Sequence, residues 1–155
     1  MGIAMLLHVL SAVIWVGGMF FAYMVLRPVA ARLLEPPQRL PLWAACFQGF
    51  FLWVWGAVIL LPLTGYWMLF SMFQGMANAP LYVHAMNGLG LLMIALYLWL
   101  YLGPYRALCT AVAQQDWQTG GTHLATIRRI VGSNLLLGLA TITIAVAGHY
   151  LIPAA

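Results

Sequence analysis

Met5-Leu-Leu-His-Val-Leu-Ser-Ala-Val-Ile-Trp-Val-Gly-Gly-Met19 is apolar enough to lie in lipid, has no charged residue, and yet holds His8. An ionisable side chain in a membrane span is costly, marks a functional site by default, and obliges a search for its partners. The rest of the chain shares this character. Of 155 residues, 65% are hydrophobic and 5% charged, where a soluble domain has roughly 25% charged. Such a chain lacks a water-facing surface. The composition predicts an all-α integral membrane protein, a four-helix bundle in a single domain spanning residues 1–155.

A bilayer core about 30 Å thick takes about 20 apolar residues of helix. Four stretches qualify, at about residues 3–26, 43–70, 81–103 and 127–152. Arg27-Pro28 closes the first, and Gly103-Pro104 stops the third. Pro62 inside the second predicts a kink, because proline removes one backbone hydrogen bond. Pro80 introduces the third, and Pro153 ends the fourth. A cleaved leader carries positive charge before its apolar core. Here the first basic residue, Arg27, comes after it, which predicts a retained span.

The basic residues give the orientation. All six are arginines: Arg27, Arg32 and Arg39 in the first loop, and Arg106, Arg128 and Arg129 around the third. The second loop, Ser71–Pro80, has no charge, nor do the side chains of the terminal segments. The positive-inside rule then makes the arginine side cytoplasmic. Both termini and the second loop face outward, to the periplasm of a bacterial inner membrane. The arginines are too few and too localised for nucleic acid. The expected environment is the lipid bilayer.

Helical rise places three histidines in one outer layer. His8 lies about 7 Å inside the outer end of its span, His84 about 5 Å and His149 about 5 Å. His8 shares a face with Ala12, Trp15 and Met19, and His84 with Asn87, Gly88 and Leu91. Asn134, Gly138, Thr141, Ala145 and His149 form a small, polar stripe on the fourth span. Small residues let membrane helices approach one another or a flat cofactor. Each histidine therefore stands on a face expected to turn inward. His123 falls in a polar loop and reads as solvated. Cys46 and Cys109 read as packing residues, not as ligands or a disulfide.

Three chemistries suit such histidines: a helix-to-helix hydrogen bond, a metal or haem site, and a proton relay. Iron in haem b takes axial imidazoles, and His8 with His84 offers the pair. Trp15 and Asn87 stand close enough in sequence to support them, and His149 is a replacement ligand, a second-site ligand or a proton-passing neighbour. Copper is the alternative. Met68, Met72 and Met76 repeat every four residues, Met5 precedes His8 by three, and Met86 follows His84 by two. Thioethers are soft ligands that select Cu(I). Catalysis by paired carboxylates is excluded, since Glu35 and Asp116 are the only acidic side chains. Phosphate-loop, HExxH and CxxC patterns are absent from the sequence.

His8 with Trp15-Val-Gly-Gly18, Tyr23 and Arg27 resembles the first span of the CopD/HemJ-like membrane proteins. Leu63-Thr-Gly-Tyr-Trp67 resembles the second span of the CopD group. Leu81-Tyr-Val-His84, leading to Tyr101-Leu-Gly-Pro-Tyr-Arg106, is similar to the HemJ third span. Arg128-Arg129 with Asn134 is similar to the entry of its fourth. The HemJ resemblance implies bound b haem and protoporphyrinogen oxidation. The CopD resemblance implies copper uptake across the inner membrane. HemJ proteins usually carry a lysine two residues after the third-span histidine, where this chain has Met86.

The resulting expectation is a haem b protein, possible as a membrane oxidoreductase, that passes electrons between a quinone pool or porphyrin and an outer acceptor. It would act as a homo-oligomer or with a redox partner. The alternative is copper transport using His8, His84 and His149 with Met68, Met72 and Met76. A purely structural subunit of a larger redox complex is the third reading.

Overall fold

The computed structural model describes residues 1–151, with side chains through Gly148. All regular structure among the described residues is helical. Four continuous helical passages, Gly2–Leu33, Pro36–Phe73, Leu81–Ala113 and Trp117–Gly148, are long and apolar enough to cross a membrane. The four-span, all-α expectation therefore holds.

The passages outrun the apolar stretches. Helix α1 (Gly2–Phe20) enters a π-helical turn at Phe21–Leu26 and continues as α2 (Arg27–Leu33). Arg27-Pro28 thus ends no helix. Pro28 sits in the first turn of α2, directly after the π-helical turn, where the i→i−4 ladder that proline interrupts is already shifted. The same happens further on. Helix α4 (Leu81–Leu100) enters a π-helical turn at Tyr101–Tyr105, with Pro104 inside it, and continues as α5 (Arg106–Ala113). The first and third loops shrink to tight turns, and His123 stands half-buried on a helix, not in a loop. Helix α3 (Pro36–Phe73) runs on through Pro62, and α6 (Trp117–Leu151) completes the bundle.

The chain therefore states one pattern twice. A helix of 19 or 20 residues, a π-helical turn of 6 or 5, a short helix of 7 or 8, a tight turn and a helix of 38 or 35 follow in the same order. Each π-helical turn is followed by an arginine stacked back on a tyrosine. Arg27 lies 4.8 Å from the Tyr23 ring and Arg106 lies 6.0 Å from the Tyr101 ring.

Neighbouring helices run antiparallel, and small residues let them close. Gly18 of α1 receives the Phe50 ring of α3, and Gly138 of α6 receives Val16 and Met93. Helix α3 meets the end of α4 and the π-helical turn after it differently, through large rings that recur every fourth residue on each side. Phe47, Phe51 and Trp55 face Tyr105, Tyr101 and Tyr97. Phe51 and Tyr105 meet edge to face at 4.9 Å, Trp55 and Tyr101 at 5.4 Å, and Trp55 and Tyr97 at 5.5 Å, the geometry that ring quadrupoles favour. The Tyr97 hydroxyl donates to the Phe51 carbonyl at 3.4 Å.

The buried core gathers toward the arginine end. It includes Leu40, Trp43, Phe47, Phe51, Leu108, Leu124 and Ile127. Toward the other end, burial thins to residues such as Ser11, Thr64 and Leu69.

Candidate functional site

His8 projects from α1 onto α3. Its Nδ1 lies 2.8 Å from the Thr64 hydroxyl oxygen. That hydroxyl donates to the Leu60 carbonyl one turn earlier. A threonine hydroxyl has a single proton. With that proton assigned to Leu60, the oxygen is left to accept from His8, which assigns the ring proton to Nδ1. Nε2 is left with its lone pair. Holding the far nitrogen of an imidazole in this way is how proteins orient a histidine for metal binding.

Thr64 is buried, and His8 is half-buried. Gly65 completes the seat. A methyl group there would lie 3.2 Å from His8 Cε1, so glycine lets the ring rest against the α3 backbone. Thr64 and Gly65 carry the site, yet sequence reading met them only inside the Leu63–Trp67 resemblance. The usable signal was a small polar pair in an otherwise bulky span.

Helical spacing places Met5 one turn outward from His8 and Met68 one turn outward from Thr64. Met68 is half-buried, while Met5 is 55% and Met72 60% exposed. The four-residue methionine repeat is helical only for Met68 and Met72. Helix α3 ends at Phe73, Gln74 turns left-handed at φ 56°, and Met76 begins a separate 3-10 turn.

The third-span face is rotated from expectation. Met93, Tyr97 and Leu100 point inward, while His84, Gly88 and Leu91 are exposed. The aromatic contacts with α3 set this rotation, and the glycines do not. Asn87 is half-buried. The inward faces of the first and fourth spans are as expected, with Trp15, Met19, Asn134 and Gly138 buried. The side chain of His149 lies outside the described residues. One residue earlier, Gly148 of α6 carries the Tyr82 ring of α4. Among the described residues, no three His, Cys, Asp or Glu side chains come together. Cys46 and Cys109 are free thiols.

Below His8, the inward face of α1 continues through Ser11, Trp15 and Met19. Trp15 meets Tyr97 edge to face at 6.1 Å. Trp15, Met19, Phe51, Tyr97 and Asn134 help to line a cavity of about 20 Å³, room for one water. Asn134 Nδ2 donates to the Met93 carbonyl at 3.3 Å. Its Oδ1 is buried without a protein partner among the described residues. An unpaired buried acceptor is uncommon in proteins.

The family profile of CopD, copper resistance protein D, matches residues 44–147. The chain belongs to the CopD family. No curated protein and no solved structure matches it. The CopD match takes in Thr64, Gly65, Met68, His84 and Asn134, and stops short of α1 with His8. With its four spanning helices, this CopD member is a multi-pass membrane protein of copper-resistance type.

Proposed function

We propose that the chain moves copper, as Cu(I), across the bilayer, and that His8 receives the ion. The observation that carries this reading is the His8–Thr64–Leu60 relay, which leaves a lone pair on Nε2 in a chain of a copper-resistance family. Imidazole nitrogen with thioether sulfur is a soft ligand set, and such sets select Cu(I). Met5 and Met68 supply the thioethers one turn outward. Met72, further out and exposed, would collect the ion first. Ser11, Met19 and Asn134 offer the next buried polar and sulfur groups along the inward face. His84 and His149 are proposed as further ligands at the outer end of α4 and α6.

The orientation is part of the proposal. The arginine-bearing ends face the cytoplasm of a bacterial inner membrane, so His8 lies beneath the periplasmic surface. Copper is cargo here, and the protein supplies ligands and a path.

Haem b draws no comparable support. The described cavities measure about 20 and 10 Å³, far below the hundreds of Å³ typical of cofactor pockets. His84, one of its two expected ligands, is exposed.

The test is Cu(I) uptake into vesicles holding purified protein. His8→Ala is expected to abolish saturable uptake while the protein stays folded, its unfolding temperature lowered no more than by Thr64→Val, which removes the same hydrogen bond. Undiminished uptake by His8→Ala would sink the assignment.

A further inference from the structure

Arg27, Arg39 and Arg128 belong to α2, α3 and α6, three separate passages through the membrane. They gather at one place. Arg27, Arg39, Arg129 and the Tyr23 phenol lie within electrostatic reach of Arg128. Arg27 lies over the Tyr23 ring at 4.8 Å. That ring is pressed to α6 at Gly132, where a methyl group would fall 2.8 Å away. Arg27 and Arg128, with Tyr23 and Trp43, line a cavity of about 10 Å³. Arg27, Arg39 and Arg128 are all half-buried.

Among the described residues, no carboxylate answers this charge. The chain has two acidic side chains. Asp116 caps α6, accepting from the Thr119 N–H at 3.0 Å. Glu35 is exposed and is not among the groups acting on Arg128. Like charges held together partly out of water repel strongly and require a counter-charge. The positive-inside rule places arginines on one side of a membrane. It does not require two of them, from two passages, to line one cavity with Arg39 of a third passage within electrostatic reach.

We propose that Arg27, Arg39 and Arg128 form a binding site for a phosphate oxyanion, carried by the head group of an anionic phospholipid. Guanidinium forks match phosphate oxygens two at a time. Basic pockets between membrane helices hold acidic head groups. Tyr23 and Trp43 are the residue types that sit at head-group depth. The site stands apart from the copper reading and needs none of the histidines.

The experiment uses the full chain, delipidated in a neutral detergent, with thermal unfolding as the readout. Phosphatidylglycerol is expected to raise the unfolding temperature and phosphatidylcholine is not. R27Q/R39Q/R128Q is expected to cancel the difference and weaken phosphatidylglycerol binding on the order of a hundredfold, at roughly fivefold per arginine. The exposed Arg32, as R32Q, is expected to leave it intact. Equal stabilisation by both lipids overturns the site. Inorganic phosphate reproducing the whole shift overturns the lipid as its source. If the triple variant fails to fold, native mass spectrometry of the parent chain in mixed lipids replaces it. Selective retention of phosphatidylglycerol then supports the site, and indifferent retention overturns it.

Discussion

Five aromatic rings stand between 4.9 and 6.2 Å from that of Phe51. Around His8 the Thr64 hydroxyl, the Leu61 backbone and a bare glycine do the holding. The first environment is dense, redundant and almost wholly apolar. The second is sparse and polar, and each of its contacts is unique. The difference teaches where each property of the molecule resides. Packing near the arginine end holds the helices together. The histidine end is sparsely packed, as the proposed copper entry requires.

The sharpest way to break this contrast is Phe51→Ala. Truncating Phe51, which is 4% exposed, opens a cavity among five packed rings, and in lipid that lost packing carries the cost. A large fall in unfolding temperature is expected, while the protein that stays folded keeps its copper affinity. If affinity falls in step with stability, the two ends are one cooperative unit and the contrast is void.

Thr64→Val works at the opposite end and is expected to do the reverse. Removing the partner that orients a metal-binding histidine usually costs 10–100-fold in affinity, on the order of 1–3 kcal/mol. Losing the hydrogen bond itself costs stability about 1 kcal/mol. Competition titration with a Cu(I) chelator reads the first and thermal unfolding reads the second. Unchanged affinity would mean that the tautomer of His8 is immaterial.

The smallest effect is expected at the water-exposed turn beyond the arginine end. The Thr119 hydroxyl, followed by the Thr119 N–H, holds the Asp116 carboxyl below the usual carboxylate range. A folded pKa below the unfolded one stabilises the fold above the ordinary carboxylate range. That contribution disappears as pH falls through the folded value. Asp116→Ala should therefore lower the unfolding temperature slightly near neutral pH, and the gap from the parent should close on acidification. A gap that persists in acid would detach the cap from the carboxylate charge.

Much of the fold was legible because lipid imposes few solutions. Long apolar runs without charge must be helices, and the six arginines sort to one side. The helix ends were less legible. Pro28 and Pro104 read as stops, but each falls in or directly after a π-helical turn, where the helix shifts its hydrogen-bond ladder and runs on. The inward faces of α1 and α6 followed from their small and polar stripes. That of α4 did not, because its rotation is fixed by rings on α3 that lie far away in sequence. The site was half visible. His8 announced itself by cost. Thr64 and Gly65 gained meaning only once α3 was seen to run antiparallel to α1, with His8 laid over both. Met76 looked like part of a helical repeat until the left-handed Gln74 broke it.

The repeated order of helix, π-helical turn, short helix and long helix bears on how the molecule comes into being. Each half is a hairpin that can enter the bilayer alone, its backbone satisfied within itself. What remains is for two finished pieces to find one another. Hydrocarbon offers no reward for hiding leucine from lipid, so that last encounter is governed by shape, and the tyrosine ladder is the shape it must match.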